Sequence, residues 1–319
     1  MRTVMGIVLT ATCVFAQSAD AANIDYPIRP VHIVVPYAPG GSTDVYARLI
    51  AAKTGERLKQ SFIVENKPGG NAIIGGEFVA RSAPDGYTLL NIGGSNYSSV
   101  FTKNSPIDIL KDFAPVSSAY YGAFFLLVSS SVPAKSVEEF IAYAKANNGK
   151  LNSSSAANTS MLAMEMFNKA VGIQMVHIPY KGASPAAVAL ANGEVQATMN
   201  LITSYRSFID SGKIRALAVT ADERIPSEPQ VPTLAQAGIK GMQVMYNNGI
   251  WAPSGTPPAI VDKLNGAIVE AVNQSEVRDT IQKGGLTARS STPEAFRQAI
   301  QSEIEFWARA AKAVGYVPQ

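Results

Sequence analysis

The sequence predicts an α/β protein of two lobes, each with a central, mainly parallel sheet flanked by helices, and a cleft between them. Three observations carry this. Short apolar, β-branched runs alternate with segments of helical period, the pattern of βαβ units with parallel strands. The junctions between strand and helix are rich in glycine and serine. The alternation then restarts in the second half of the chain over a similar length.

Taken in order, Val31-His32-Ile33-Val34-Val35 is a continuous apolar run, as a strand buried on both faces requires. Pro39-Gly40-Gly41-Ser42-Thr43-Asp44 forms a turn, and Val45, Leu49 and Ala52 share one face of the helix that follows. Phe62-Ile63-Val64 is the next strand, residues 67–71 a turn and 73–80 a short helix. Tyr87 to Leu90 is a third strand, ending at Gly93-Gly94-Ser95. The second half opens with a strand at 124–128, and Ser136 with Glu139 makes a capping box for a helix over 137–146. Strands at 174–178, 195–199 and 214–219 surround a helix at 183–191. Residues 221–233, with Pro226, Pro229 and Pro232, form a polar surface connection. A strand at 244–251 and a helix at 257–272 follow. Thr292-Pro293-Glu294 opens the last helix with a cap, a first-turn proline and an acid in that order. Phe296, Ile300, Trp307 and Ala311 line one of its faces.

The first 22 residues have a different character. Arg2 precedes an apolar run through Ala16, and Ala19-Asp20-Ala21 supplies the small-residue exit of a cleaved secretory signal. The run is shorter than the ~20 residues a membrane span needs. Thr12 before Cys13, with apolar residues after it, argues against a lipoprotein site. The mature chain is therefore expected free in an export compartment. The chain's one cysteine, Cys13, leaves with the leader, which excludes thiol chemistry, disulfides and cysteine-based metal sites. The 319 residues hold 27 Lys and Arg against 24 Asp and Glu, and the leader removes one of each sign. No basic run exists, so the charge carries no footprint for nucleic acid.

Two segments can carry binding chemistry. At Gly40-Gly41-Ser42-Thr43-Asp44 a glycine turn leads into a helix start, where free amides and the positive end of the helix dipole make an anion site without a charged side chain. An ordinary turn with Ser42 or Thr43 as cap fits the same residues. The segment is neither a Walker loop nor a dinucleotide fingerprint. Asp44 suits a first-turn helix stabiliser better than an acid or base. The second segment, Ser153 to Ser160, is another polar strand-to-helix junction whose hydroxyls and amides can face the first across the cleft; a solvated serine-rich loop is the alternative.

A hydrolase reading finds little support. His32 and His177, the only histidines, both sit inside apolar strand runs and read as structural. No G-x-S-x-G elbow and no H-E-x-x-H cluster occurs. Glu138-Glu139 and Asp222-Glu223 read as solvated faces.

Tyr26-Pro27-Ile28-Arg29-Pro30 and Val34-Val35-Pro36-Tyr37-Ala38-Pro39-Gly40-Gly41-Ser42-Thr43-Asp44 resemble the opening of the substrate-binding proteins of tripartite tricarboxylate transporters, the Bug-type receptors. The likeness continues through Val64-Glu65-Asn66-Lys67-Pro68-Gly69-Gly70, Ala83-Pro84-Asp85-Gly86-Tyr87-Thr88 and Asp112-Phe113-Ala114-Pro115-Val116 to Ile178-Pro179-Tyr180-Lys181-Gly182, residues 212–220 and Ala252-Pro253-Ser254-Gly255-Thr256-Pro257. It implies a periplasmic binding protein fold of type II, closing on one ligand in the interlobe cleft and delivering it to membrane permease subunits, as a monomer without cofactor or catalysis. It divides the chain into lobe 1 at 23–121 plus about 248–319, with the last helix also free to pack on the other lobe, and lobe 2 at 122–247. It implies that a small carboxylate, a di- or tricarboxylate or an aromatic acid, is gripped by Gly40, Gly41, Ser42, Thr43 and Asp44 beside Tyr37, with Gly93, Gly94 and Ser95 from the loop after the third strand. Lobe 2 contributes Ser155, Ala157, Asn158, Thr159 and Ser160, together with Tyr180, Asn200 and Thr203. Ser155 and Ala157 stand where the family usually has glycine, and Asn200 where an Asp is frequent, which weakens an amino-acid ligand and suits a neutral polar group or a second carboxylate. Tyr37, Tyr180 and Trp251 are candidates to wall the pocket. A receptor that signals to a membrane sensor needs the same features, and the sequence leaves that role open.

Overall fold

The computed structural model describes residues 25–98 and 100–318, so the leader expected at 1–22 lies outside the described residues. β1 (Val31–Val35) runs into α1 (Ser42–Leu58), β2 (Phe62–Asn66), α2 (Ile73–Ala80) and β3 (Thr88–Ile92). A 3₁₀ turn at Gly94–Tyr97 leads to β4 (Phe113–Ala123), which crosses into β5 (Phe125–Ser129). α3 (Val137–Ala146), β6 (Asn152–Ser155), α4 (Asn158–Val171), β7 (Val176–Pro179), α5 (Ala183–Ala191) and β8 (Ala197–Asn200) follow. After α6 (Arg206–Asp210) and β9 (Ile214–Val219), β10 (Met245–Pro253) leads to α7 (Pro258–Asn273), α8 (Ser275–Lys283), β11 (Thr287–Ala288) and α9 (Pro293–Val314).

Among the described residues the strands form a six-stranded sheet, ordered β11-β4-β10-β3-β1-β2, and a five-stranded sheet, ordered β7-β6-β8-β5-β9. The two-lobed α/β architecture is the expected one, but the sheets are mixed rather than mainly parallel. β1 pairs parallel with β2 and β3, whereas β10 pairs antiparallel with both β3 and β4. In the second sheet β6 is parallel to β7 and β8, and β5 is antiparallel to β8 and β9. The cause is connectivity. A strand reached from the other lobe, such as β10, need not obey the helical crossover that makes neighbours parallel.

β4 escapes a sequence reading because Pro115, Ser117 and Ser118 interrupt its apolar run. Pro115 lies opposite Trp251, beside a register irregularity in β10, a place where a strand tolerates the missing donor. β6 is a fully polar strand whose Ser153, Ser154 and Ser155 are nonetheless buried, so its place in the sheet comes from its neighbours and not from hydrophobicity.

α9 ties the molecule together. Phe296 packs on Trp251, ring centroids 4.5 Å apart, and Trp307 meets Phe101 at 5.9 Å. The same helix also touches α4 of the second lobe. Its expected cap is present: the Thr292 hydroxyl accepts from the Ala295 amide at 3.2 Å. No helix of the described residues is long and apolar enough to cross a membrane.

Candidate ligand-binding site

The first loop turns at Gly40, whose φ of +83° is costly for any residue with a Cβ. α1 then starts without a side-chain cap, and its first backbone bond runs from the Val45 amide to the Gly41 carbonyl. The amides at Ser42 and Thr43 precede that bond and face the cleft with the dipole's positive end behind them. Asp44 braces this loop. Its carboxylate accepts from the Gly40 amide at 2.9 Å, Arg48 Nε at 3.1 Å and Asn66 Nδ2 at 2.9 Å. Burial pushes its pKa up, but the bonds from Arg48, Gly40 and Asn66 outweigh this and leave it below its ordinary value. Its oxygens are thus committed to the loop.

Opposite lies the start of α4. The Ser160 hydroxyl accepts from the amides of Ala156 and Ala157 at 3.1 and 3.2 Å, folding this loop on itself. Thr159 and Asn158 reach across to Asn96 of the first lobe, each at 3.4 Å. A shorter bond, Ala38 amide to Lys181 carbonyl at 2.9 Å, joins the lobes at another point. The cleft is closed.

Between the two helix starts lies a cavity with about 40 Å³ of room for the centres of water-sized groups. Gly41, Ser42 and Thr43 line one side, Ala157, Thr159 and Ser160 the other. Tyr37, Phe124 and Tyr246 wall it, Asn200 and Leu201 close one end, and no Asp, Glu, Lys or Arg lines it. Burial, then the neighbouring Tyr246, Tyr97 and Tyr120, raises the Tyr37 pKa far enough to keep the phenol neutral, and burial raises that of Tyr246. Two buried polar atoms here have no partner: the Tyr37 hydroxyl and Asn200 Nδ2. Asn200 Oδ1 accepts from the Leu201 amide at 2.9 Å, so the residue's free atom is its donor. The cavity therefore offers neutral donors from both lobes, a suitable environment for an oxyanion.

Several residues singled out from the sequence lie outside this cavity. Gly40 packs near the Ser184 side chain. Asn158 is taken up by Asn96, and Ser155 Oγ pairs with His177 Nε2 at 2.7 Å. Gly93, Gly94 and Ser95 sit behind the wall: the Gly93 amide donates to the Tyr246 hydroxyl at 3.0 Å, Gly94 abuts Trp251, and Ser95 donates to Glu303 at 2.6 Å. Thr203 donates to the Gly284 carbonyl at 2.9 Å. Tyr180 lines a neighbouring chamber, while Trp251 is core. His32 pairs with Glu65 at 2.6 Å on the surface. Among the described residues no group of three or more His, Cys, Asp or Glu could hold a metal.

Sequence reasoning missed Phe124 and Tyr246. Both stand where the chain crosses between lobes, and no local pattern marks a crossing.

Residues 46–316 match the model of the tripartite tricarboxylate transporter family receptor. The chain belongs to this receptor family. The receptor is 35% identical over 318 residues to the protein BugT of Bordetella pertussis, covering 98% of this chain and 96% of that one. A solved R. palustris structure with adipate is 32% identical with a TM-score of 0.89, over 92% of this chain and all of that one. MatC from Rhodopseudomonas palustris, solved with bound malate, is 33% identical with a TM-score of 0.85, over 89% and 99%. Such relatives are periplasmic binding proteins, and membership makes the receptor a solute-binding protein and not an enzyme.

Proposed function

We propose that the receptor captures a small carboxylate in the closed cleft and delivers it, in the periplasm, to the permease subunits of a tripartite tricarboxylate transporter. The observation that carries this reading is the uncharged cavity whose polar groups are donors from both lobes: the α1 amides at Ser42 and Thr43, the Thr159 side chain and Asn200 Nδ2. Donors aimed at an anion make bonds about twice as strong as neutral ones. Because the donors come from two lobes, a carboxylate binds the closed form better than the open one, and that differential affinity drives closure. The adipate and malate found in related structures support the ligand class. The leader and the absence of a catalytic set fit an exported receptor working as a monomer.

A thermal-shift screen of mono-, di- and tricarboxylates, aromatic acids and amino acids on the purified receptor tests the reading, since a bound ligand stabilises by mass action. Stabilisation by carboxylates is expected. Tight binding of amino acids with none of di- or aromatic acids would overturn it.

A further inference from the structure

Beside the cavity the closed cleft holds a second chamber. It is the larger, about 290 Å³ against about 40 Å³ on the same measure, and the two share Tyr37 and Ala156 as a common wall. This outer chamber is also interlobal: Gly69, Gly70 and Asn71 of the first lobe line it with Pro179, Tyr180 and Lys181 of the second.

Two features there call for a guest. The Tyr37 hydroxyl is buried without a partner although its residue lines both chambers. Lys181 is exposed and is the only charged residue lining the outer chamber, and its ammonium enters no ion pair among the described residues.

The inner volume limits what fits. About 40 Å³ takes about three water-sized groups, which is one carboxylate, a carbon and two oxygens. The chain attached to that carbon has to pass between Tyr37 and Ala156 into the outer chamber, where Lys181 stands.

We infer that the receptor's ligand is an elongated dicarboxylate, one carboxylate held at the start of α1 and the other in the outer chamber beside Lys181, with Tyr37 donating where the two chambers meet. This rests on the carboxylate reading above and adds the ligand's length and second charge.

Titration calorimetry with oxalate, succinate, adipate and suberate, beside acetate, butyrate and hexanoate, tests it. Adipate or suberate is expected to bind about fivefold tighter than both succinate and hexanoate, the upper range for one exposed ion pair. Lys181→Gln removes that advantage without moving the melting temperature. A wild-type affinity that is flat or falling beyond succinate overturns the inference, as does a Lys181→Gln loss equal for hexanoate and suberate. If neither series binds at all, the carboxylate reading fails first, and the inference with it.

Discussion

The hydroxyl of Thr220 donates to the Val244 carbonyl at 2.7 Å and accepts from the Phe124 amide at 2.9 Å. Residue 124 follows β4 where the chain leaves the first sheet, and residue 244 precedes β10 where it returns. One buried side chain thus fastens both crossings, next to the Phe124 and Tyr246 that wall the cavity. Thr220→Val keeps the shape and removes both bonds. It is expected to cost about 1–3 kcal/mol, the penalty for buried groups left unmade, read from the denaturant midpoint.

Asn200 presents a donor because its oxygen is occupied by the Leu201 amide. Asn200→Asp puts an anion in its place, beside the bound carboxylate. Carboxylate affinity is expected to fall at least about tenfold, equivalent to about 1.4 kcal/mol, in calorimetry near neutral pH. An unchanged affinity would remove Asn200 from the site.

Gly93 allows Tyr246 to approach, since a Cβ there would overlap the tyrosine ring. Gly93→Ala should therefore displace a cavity wall, costing about 1–3 kcal/mol of stability. Ligand affinity should fall as well, which a purely structural glycine away from the site would leave alone.

Asp44 has a folded pKa below its ordinary value. A carboxylate of this kind stabilises the fold above its unfolded pKa, and the contribution is lost as pH falls through the folded one. Asp44→Asn should flatten the acid limb of a stability-against-pH curve and weaken binding at neutral pH by loosening the Gly40 turn. Melting temperatures taken downward from pH ~6 check the first, calorimetry the second.

Glu303 behaves in the opposite sense. Its buried carboxylate accepts from Ser95 at 2.6 Å, from Trp307 at 3.3 Å and from Asn247 Nδ2 at 2.7 Å, yet burial outweighs these bonds and raises its pKa. Stability therefore declines as pH rises from the unfolded to the folded value. Glu303→Gln should abolish this decline but cost about 1–3 kcal/mol, because its amide meets donors where acceptors are needed. The same unfolding series measures both.

How much was legible from sequence differs between the two sides of the cleft. The turn at Gly40 and the uncapped helix at Ser42 follow from local chemistry: glycine permits the positive φ, and a helix start leaves amides free wherever it occurs. The run before it, Val31–Val35, is a strand between two others because apolar residues on both faces admit nothing else. On the opposite side Ser153 to Ser155 carried no strand pattern at all, and β6 exists because β7 and β8 pair with it.

The sequence by itself determined the α/β alternation, the helix caps at Ser136 and Thr292, and the glycine turn that opens the site, since each depends on neighbours a few positions away. Tertiary structure alone decided which polar groups remain free. Ser155 and Asn200 look equally available in a string of letters, but His177 occupies one, while the Leu201 amide takes only half of the other. It also decided that Gly93 to Ser95 support the wall from behind and that Tyr246 forms it. Those outcomes depend on pairings across 153 and 208 positions of chain, Gly93 with Tyr246 and Ser95 with Glu303, and no local propensity encodes a hydrogen bond over such a distance.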